Sequence, residues 1–232
     1  MDFSILIKYG DRFLDGTLIS LKLVFLASLV GILIALPAAL ARVSKRPWLW
    51  MPAYGYIYFF RGTPLLIQLF IVYYGLGQFE AIRNSVAWVV LGKAQWCGFI
   101  GMTLNTAAYT AEILRGGILG VPHGEVEAAR ACGMSYALMM QRVVLPRAIR
   151  IAWPAYCNEV ILLLKGSALV STIAVWDLMG EARSIFSRTY SLDVFIYAGI
   201  IYFLLTFLLT RVFQFSEQRL NRYLMPAGAT RG

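Results

Sequence analysis

Charge is scarce in this chain of 232 residues: only 14% is Asp, Glu, Lys or Arg, while 59% is hydrophobic. Soluble domains carry about a quarter charged residues and about half apolar ones. With a mean hydropathy of +0.68, the composition points to a chain that crosses a membrane several times. There is a single histidine, His123, and there are three cysteines, Cys97, Cys132 and Cys157, far apart and without a Cys-x-x-Cys pair. That leaves no ligand set for a metal, and the cysteines read as small apolar fillers. No G-x-x-x-x-G-K-[ST] loop exists to cradle nucleotide phosphates. No Ser or Cys nucleophile has a base at suggestive spacing, so no enzyme site assembles and no catalytic residue is assigned. The net charge of +9 is dispersed between apolar runs, without the basic stripe and interleaved aromatics of a nucleic-acid binder. The first apolar run reaches Ala41 without a small-residue cleavage site, which reads as a retained span, not a removed signal.

What is present is a series of long apolar runs. About 20 apolar residues cross the hydrocarbon, and five segments qualify: Leu18–Ala41, Pro52–Leu76, Trp96–Leu114, Ala152–Trp176 and Val194–Phe213. Lys22 lies near the start of the first and can snorkel. The stretch Ser85–Leu91 is too short to span and caps a loop. The expected fold is all-α, polytopic, with five transmembrane helices in one domain over residues 1–232. With the N-terminus outside, the inner loops hold Arg42, Lys45, Arg46, Arg115, Arg130, Arg142, Arg147, Arg150, Arg211, Arg219, Arg222 and Arg231. The outer loops hold only Lys8, Arg12, Arg83, Lys93, Arg183 and Arg188. A twofold bias of this kind places the C-terminus in the cytoplasm.

The mixed-polarity stretch EVEAARACGMSYALMMQRVVLP, residues 125–146, is then cytoplasmic. Pro122 opens a helix, Glu125 and Glu127 suit its positive end, and Gly133 permits a left-handed stop. Ser135 is the N-cap of a second helix over Tyr136–Leu145, which Pro146 ends or kinks into the fourth span. Two short helices with a bend between them form the loop, one face against the spans and the other open to a partner.

Ionisable groups inside spans are costly and are candidate functional sites by default. Glu159, in the fourth span, shares a helix face with Leu163, Gly166 and Val170. It is a candidate to hold a cationic amine or guanidinium by charge-assisted hydrogen bonds, or alternatively to pair with Arg61. Lys165 faces elsewhere. Arg61 precedes Gly62, Thr63 and Pro64, residues that break a span and free backbone groups beside a cavity. It is either a contact for a substrate carboxylate or a structural anchor. Gln68 and Asn105 are polar residues in apolar spans, read as interhelical hydrogen-bonding groups or as substrate contacts. Thr63, Gly166 and Ser167 complete the candidate set. Glu112 and Asp177 read as span-end acids explained by solvation, and His123 as a loop residue.

The spacing Glu127-Ala128-Ala129, three residues, Gly133, nine residues, Val143, one residue, Leu145-Pro146 resembles the EAA loop of binding-protein-dependent ABC importer permeases. Val143 stands where that pattern usually has Ile. The segments FRGTPLLIQLF (60–70), LNTAAYTAEILRGGI (104–118), VPHGEVEAARACGM (121–134) and NEVILLLKGSALVSTI (158–173) resemble the polar-amino-acid branch, of histidine/lysine/arginine/ornithine/opine type, over residues 13–222. The resemblance implies a type I importer permease in the bacterial inner membrane. Its implied partners are a homologous second permease, two P-loop ATPase subunits that bind ATP and Mg, and a periplasmic substrate-binding protein. It assigns coupling to the ATPase to the loop about 121–147, through Glu125, Glu127, Ala128, Ala129, Arg130 and Gly133, and substrate contact to an acid at the place of Glu159. Many relatives have Asp where Gly166 stands. A stand-alone proton-coupled carrier built on Glu159 is the alternative; it would need no docking loop, and five spans do not divide into the two repeats common in such carriers. A structural membrane subunit without substrate is the third reading.

Overall fold

A computed structural model describes residues 3–221 of the chain. The described residues are helical throughout, joined by short turns, with no strand among them. Helix α1 (Phe3–Val43) is followed by α2 (Pro47–Gly62), α3 (Leu65–Phe70) with a π and a 3-10 turn to Gln78, and two single turns, α4 (Glu80–Arg83) and α5 (Trp88–Leu91). Next come α6 (Ala94–Leu119), α7 (His123–Ala131), α8 (Tyr136–Met139), a π turn (Met140–Val144) and α9 (Leu145–Gly166). A 3-10 stretch (Ser167–Ile173), α10 (Leu178–Thr189) and α11 (Asp193–Asn221) complete the chain.

Among the described residues, three helices are long and apolar enough to cross a membrane, within Ser4–Val43, Tyr136–Ile173 and Asp193–Leu220. A fourth crossing exists if Pro47–Gly62 and Leu65–Gln78 are counted together, and these are bent by 105°. The expected span Pro52–Leu76 is thus a bent pair, broken where Gly62 and Pro64 were expected to break it. Gly62 and Pro64 flank the break, as their chemistry requires: Pro64 has no N–H to continue a helix, and it disfavours helical geometry in Thr63. Helix α6 has the length to cross but not the apolarity. Its Gly98, Gly101, Ala107, Ala108, Ala111 and Gly117 are buried together with Thr103, Asn105, Thr106 and Thr110. A helix enclosed by neighbours needs small residues and internal hydrogen bonds, not an oily surface. At Gly117 a Cβ would lie 2.5 Å from the Ala148 carbonyl oxygen, so α6 and α9 meet backbone to backbone.

Helix α1 begins well before the expected Leu18. Its first turns are too polar for a span, with Lys8, Asp11, Arg12 and Asp15, yet Ile5 and Phe13 pack into a cluster with Leu178, Ile185, Val194 and Tyr197. Arg12 pairs with Glu181 and donates to Ser184 Oγ at 2.9 Å. Helix α10, absent from the sequence reading, is what this extension rests on. Asp177 caps it, accepting from the Gly180 amide at 3.0 Å and from the Tyr202 hydroxyl at 3.2 Å. Asp177 is fully buried, so solvation does not explain it. Asp177, an N-cap residue type, with Glu181 in the turn that follows, was the signal available. The main core joins α1, α3, α6, α9 and the 3-10 stretch around Leu69, Met102, Leu164 and Ile173. Outward, α11 exposes Phe203, Leu204, Phe207 and Leu208, and α1 exposes Phe25, Leu29 and Leu33. Arg222 and Arg231 of the charge count lie outside the described residues.

Candidate functional site

The break between α2 and α3 organises the first group of candidates. A helix end leaves carbonyls without intrahelical donors, and in a membrane each must find a partner inside the protein. Thr63 answers one: its amide and hydroxyl both donate to Phe59 O, at 3.1 and 2.8 Å. The Gln68 side-chain amide answers the next, donating to Phe60 O at 2.8 Å and Thr63 O at 2.9 Å. Asn105 reaches from α6, donating to Gln68 Oε1 at 3.0 Å and to Phe60 O at 3.4 Å. Tyr109 donates to Arg61 O at 3.5 Å. Gln68 and Asn105, both buried, therefore hold the broken backbone in shape, which is the interhelical reading of these residues.

Glu159 lies on α9 where it packs on α6, and it is only 7% exposed. Its carboxylate accepts from the Thr106 hydroxyl at 3.2 Å. Thr106 is the residue after Asn105, so the acid and the pinned break share one turn of α6. Gly166 closes this region: a Cβ there would sit 3.3 Å from Leu65 Cδ2, at the first residue of α3. Ser167 does not join it; it is buried and donates to Leu164 O at 2.7 Å. Lys165 is exposed, away from the acid.

Arg61 takes a different partner from the one considered in the sequence. Its guanidinium lies 3.8 Å from Glu112 and stacks over the Tyr109 ring at 5.3 Å. Glu112 also receives Arg115, at 2.9 Å, and Arg42, at 3.3 Å. Three arginines converge on one acid from α1, α2 and α6, beside a cavity of about 300 Å³ lined by Arg42, Tyr54, Ile57, Arg61 and Glu112. Glu112 is thus a structural centre, not a solvated span end. The sequence showed only its Arg115 neighbour, at i,i+3; nothing local announced Arg42 or Arg61.

The second candidate region is the loop after α6. Helix α7 ends in a Schellman arrangement: the Gly133 amide donates to Arg130 O at 2.9 Å and the Met134 amide to Ala129 O at 3.2 Å. Gly133 has φ +74°, the left-handed conformation that favours glycine. Ser135 then caps α8, accepting from the Leu138 amide. Pro122 stands one place before the first helical residue, as the N-cap. The second helix does not end at Pro146, as one of the two expectations had it. The Leu145 amide donates to Met140 O across a π turn, and α9 runs on through Pro146 to Gly166. The wider turn makes room for a proline that would clash with an α-helical carbonyl.

Within the loop the candidates divide by face. Ala129 is buried with Val121, Met139 and Met140. Glu125 pairs with Arg147 at 3.3 Å, tying the loop to the start of α9. Glu127, Ala128, Arg130 and Gly133 are exposed together with His123, and no acid or base of the described residues pairs with Glu127 or Arg130.

Comparison with known proteins matches this arrangement to one family. Residues 27–222 fit the profile of the binding-protein-dependent transport system inner membrane component. The octopine transport system permease protein OccM of Rhizobium meliloti is 48% identical over 205 residues, 88% of this chain and 84% of that protein. The nopaline transport system permease protein NocM of Agrobacterium fabrum is 43% identical over 97% of this chain and 94% of its own length. The histidine/lysine/arginine/ornithine permease protein HisM of Escherichia coli K12 is 40% identical over 94% and 92%. Among solved structures, an amino acid ABC transporter crystallised with histidines superposes with a TM-score of 0.85 at 39% identity, covering 94% of this chain and 99% of that one. The methionine transporter MetNI, at 20% identity and a TM-score of 0.76, shares the fold. The relatives are transport permeases, not enzymes, and this chain belongs to the family of binding-protein-dependent transport system inner membrane components.

Proposed function

We propose that this chain is the transmembrane permease subunit of an ATP-driven, binding-protein-dependent importer of basic amino acids or opines. The carrying observation is Glu159: a buried carboxylate with one hydroxyl donor, set between α6, α9 and the α2–α3 break. A group of this kind is costly to hold and is repaid when a cation arrives. An amine or guanidinium fits it, and the names of the octopine, nopaline and histidine/lysine/arginine/ornithine relatives describe substrates that carry one.

Five spans are counted in this reading: α1, the bent α2–α3 pair, α6, α9 with its 3-10 extension, and α11. The N-terminus lies outside and the C-terminus in the cytoplasm of the bacterial inner membrane, by the loop-charge bias. The chain is one permease domain that pairs with a homologous second permease. ATP and Mg are bound by two ATPase subunits, and a periplasmic protein delivers the substrate. The exposed face of α7, with Glu127, Ala128 and Arg130, docks on the ATPase; Ala129 and Glu125 fasten the loop to its own spans, and Gly133 sets the bend. Arg61 is an anchor for Glu112. Thr63, Gln68 and Asn105 shape the site, while Gly166 leaves room in it.

The test is uptake of labelled arginine, histidine, octopine and nopaline into proteoliposomes holding the assembled transporter. Losing a hydrogen bond to a charged group costs about 1.5–3 kcal/mol, so Glu159→Gln should slow uptake by roughly 10- to 100-fold. Glu159→Asp should retain part of it, and the complex should copurify unchanged. Full uptake by Glu159→Gln sinks the site. Transport by the chain alone without ATP sinks the whole reading in favour of a proton-coupled carrier.

A further inference from the structure

A large cavity lies away from Glu159. A groove of about 910 Å³ opens between the C-terminal end of α1, the start of α2 and the segment from α8 into α9. Pro37, Leu40 and Val43 of α1 face Met140 and Leu145 across it, and Ser44, Lys45 and Arg46 form one end. The interior is therefore apolar and the end cationic.

Its surroundings say what medium it meets. Residues 33, 37 and 40 recur at helical spacing and form one stripe of α1, with Ser44 just past its end. Leu33, at 69% exposed, continues the groove onto the outer, oily face of that helix. Next to the cationic end stand Trp48, widely exposed, and Trp50. Tryptophans beside lysine and arginine mark the boundary between hydrocarbon and water. Lys45 and Arg46 are exposed, and among the described residues no carboxylate forms an ion pair with either. Arg46 rests only on the Trp48 ring, 6.0 Å from its centroid. An apolar trough entered from the bilayer, with two unpaired cations at the headgroup level, matches an amphiphile with a negative head.

We propose that this groove binds one anionic phospholipid, its phosphate on Lys45 and Arg46 and an acyl chain laid along Pro37, Leu40 and Leu145. The site reaches beyond the transport reading and does not depend on which substrate is carried. Its position gives it a consequence: one wall is the α1 terminus and the other is the π turn and the start of α9. A lipid seated there ties the end of α1 to the segment that joins the loop to the Glu159 helix.

The experiment is native mass spectrometry and phospholipid extraction of the assembled transporter, purified from membranes and exchanged with phosphatidylglycerol or phosphatidylcholine. Phosphatidylglycerol should be retained through delipidation and phosphatidylcholine lost. Each basic residue near an anionic headgroup is worth about fivefold, so Lys45→Gln with Arg46→Gln should weaken retention by roughly twenty- to thirtyfold. Ala137→Trp, which fills the groove and leaves the charges, should reduce it as well. Excess inorganic phosphate should not displace the lipid. Retention that is equal in all variants overturns the proposal. So does displacement by phosphate alone, which would make this an ion site without a chain. A disulfide from Gln141→Cys to an ATPase or permease subunit would also overturn it, showing that a protein covers the groove. Both cations are exposed, so assembly of the double variant is expected and is read from the same spectra.

Discussion

At the scale of single residues, polar side chains in this bundle are engaged with broken backbone as much as with any ligand. Gln68 and Asn105 illustrate it. Both were candidates for substrate contact because an amide in an apolar span needs a reason. The structure supplies one: they hydrogen-bond each other and the carbonyls that the Gly62–Pro64 break frees. Asn105→Ala leaves Gln68 Oε1 without that donor, at a cost of about 1–3 kcal/mol. The thermal midpoint of the detergent-extracted complex should fall, while the KM for uptake stays near the wild-type value. A raised KM with an unchanged midpoint would return Asn105 to the substrate. The buried acid at Glu159 was legible from sequence because a lone acid in oil announces itself. Glu112 was not. Its role depends on Arg42 and Arg61 arriving from other helices, and residues on separate helices leave no periodic trace in one another's sequence.

At the scale of elements, the loop was the most legible part, since caps are local chemistry. Ser135 and Gly133 do what a hydroxyl N-cap and a left-handed C-terminal glycine do in any helix pair. The π turn was invisible, because one added residue in a helix leaves the apolar pattern almost intact. The early start of α1 was hidden by Lys8, Asp11, Arg12 and Asp15, of which Arg12 finds its partners on α10. Gly133 offers a discriminating pair of variants. No atom lies within 4 Å of a Cβ built there, so any penalty comes from the backbone and not from crowding. Gly133→Val should disturb the left-handed turn and lower ATP-driven uptake strongly, with the permease pair still assembled. Gly133→Asn, which tolerates positive φ, should restore most of it. Equal loss in both would mean that the side chain, not the bend, obstructs docking on the ATPase.

At the scale of the whole molecule, much of the apolar surface is outward. Helix α11 shows Phe203, Phe207 and Leu208, and α1 shows Phe25 and Leu33. Exposed apolar areas this extended need lipid or a second subunit to cover them. The orientation can be read with the native thiols. Cys132, beside Gly133, is exposed, whereas Cys97 and Cys157 are buried. In vesicles carrying the permease without its ATPase, a membrane-impermeant maleimide should label one cysteine, and only when the cytoplasmic face is outward. Labelling from the opposite face would invert the proposed topology. Composition and loop charge made the class readable, but not the number of straight crossings. Hydropathy counts oil, and α6 is shielded by its neighbours, while α2 and α3 form a bent pair.

The π turn at Met140–Val144 has a mechanical meaning. It joins α8 to α9 without interruption, so the second half of the loop and Glu159 lie on one continuous helix, with Pro154 inside it. Fourteen residues separate Leu145 from Glu159, a lever arm of about 21 Å at the α-helical rise. A tilt of roughly 10° at the loop end would swing the carboxylate by about 4 Å, more than the length of its bond to Thr106. On the proposed function, a stroke of that size is enough to let go of a cation.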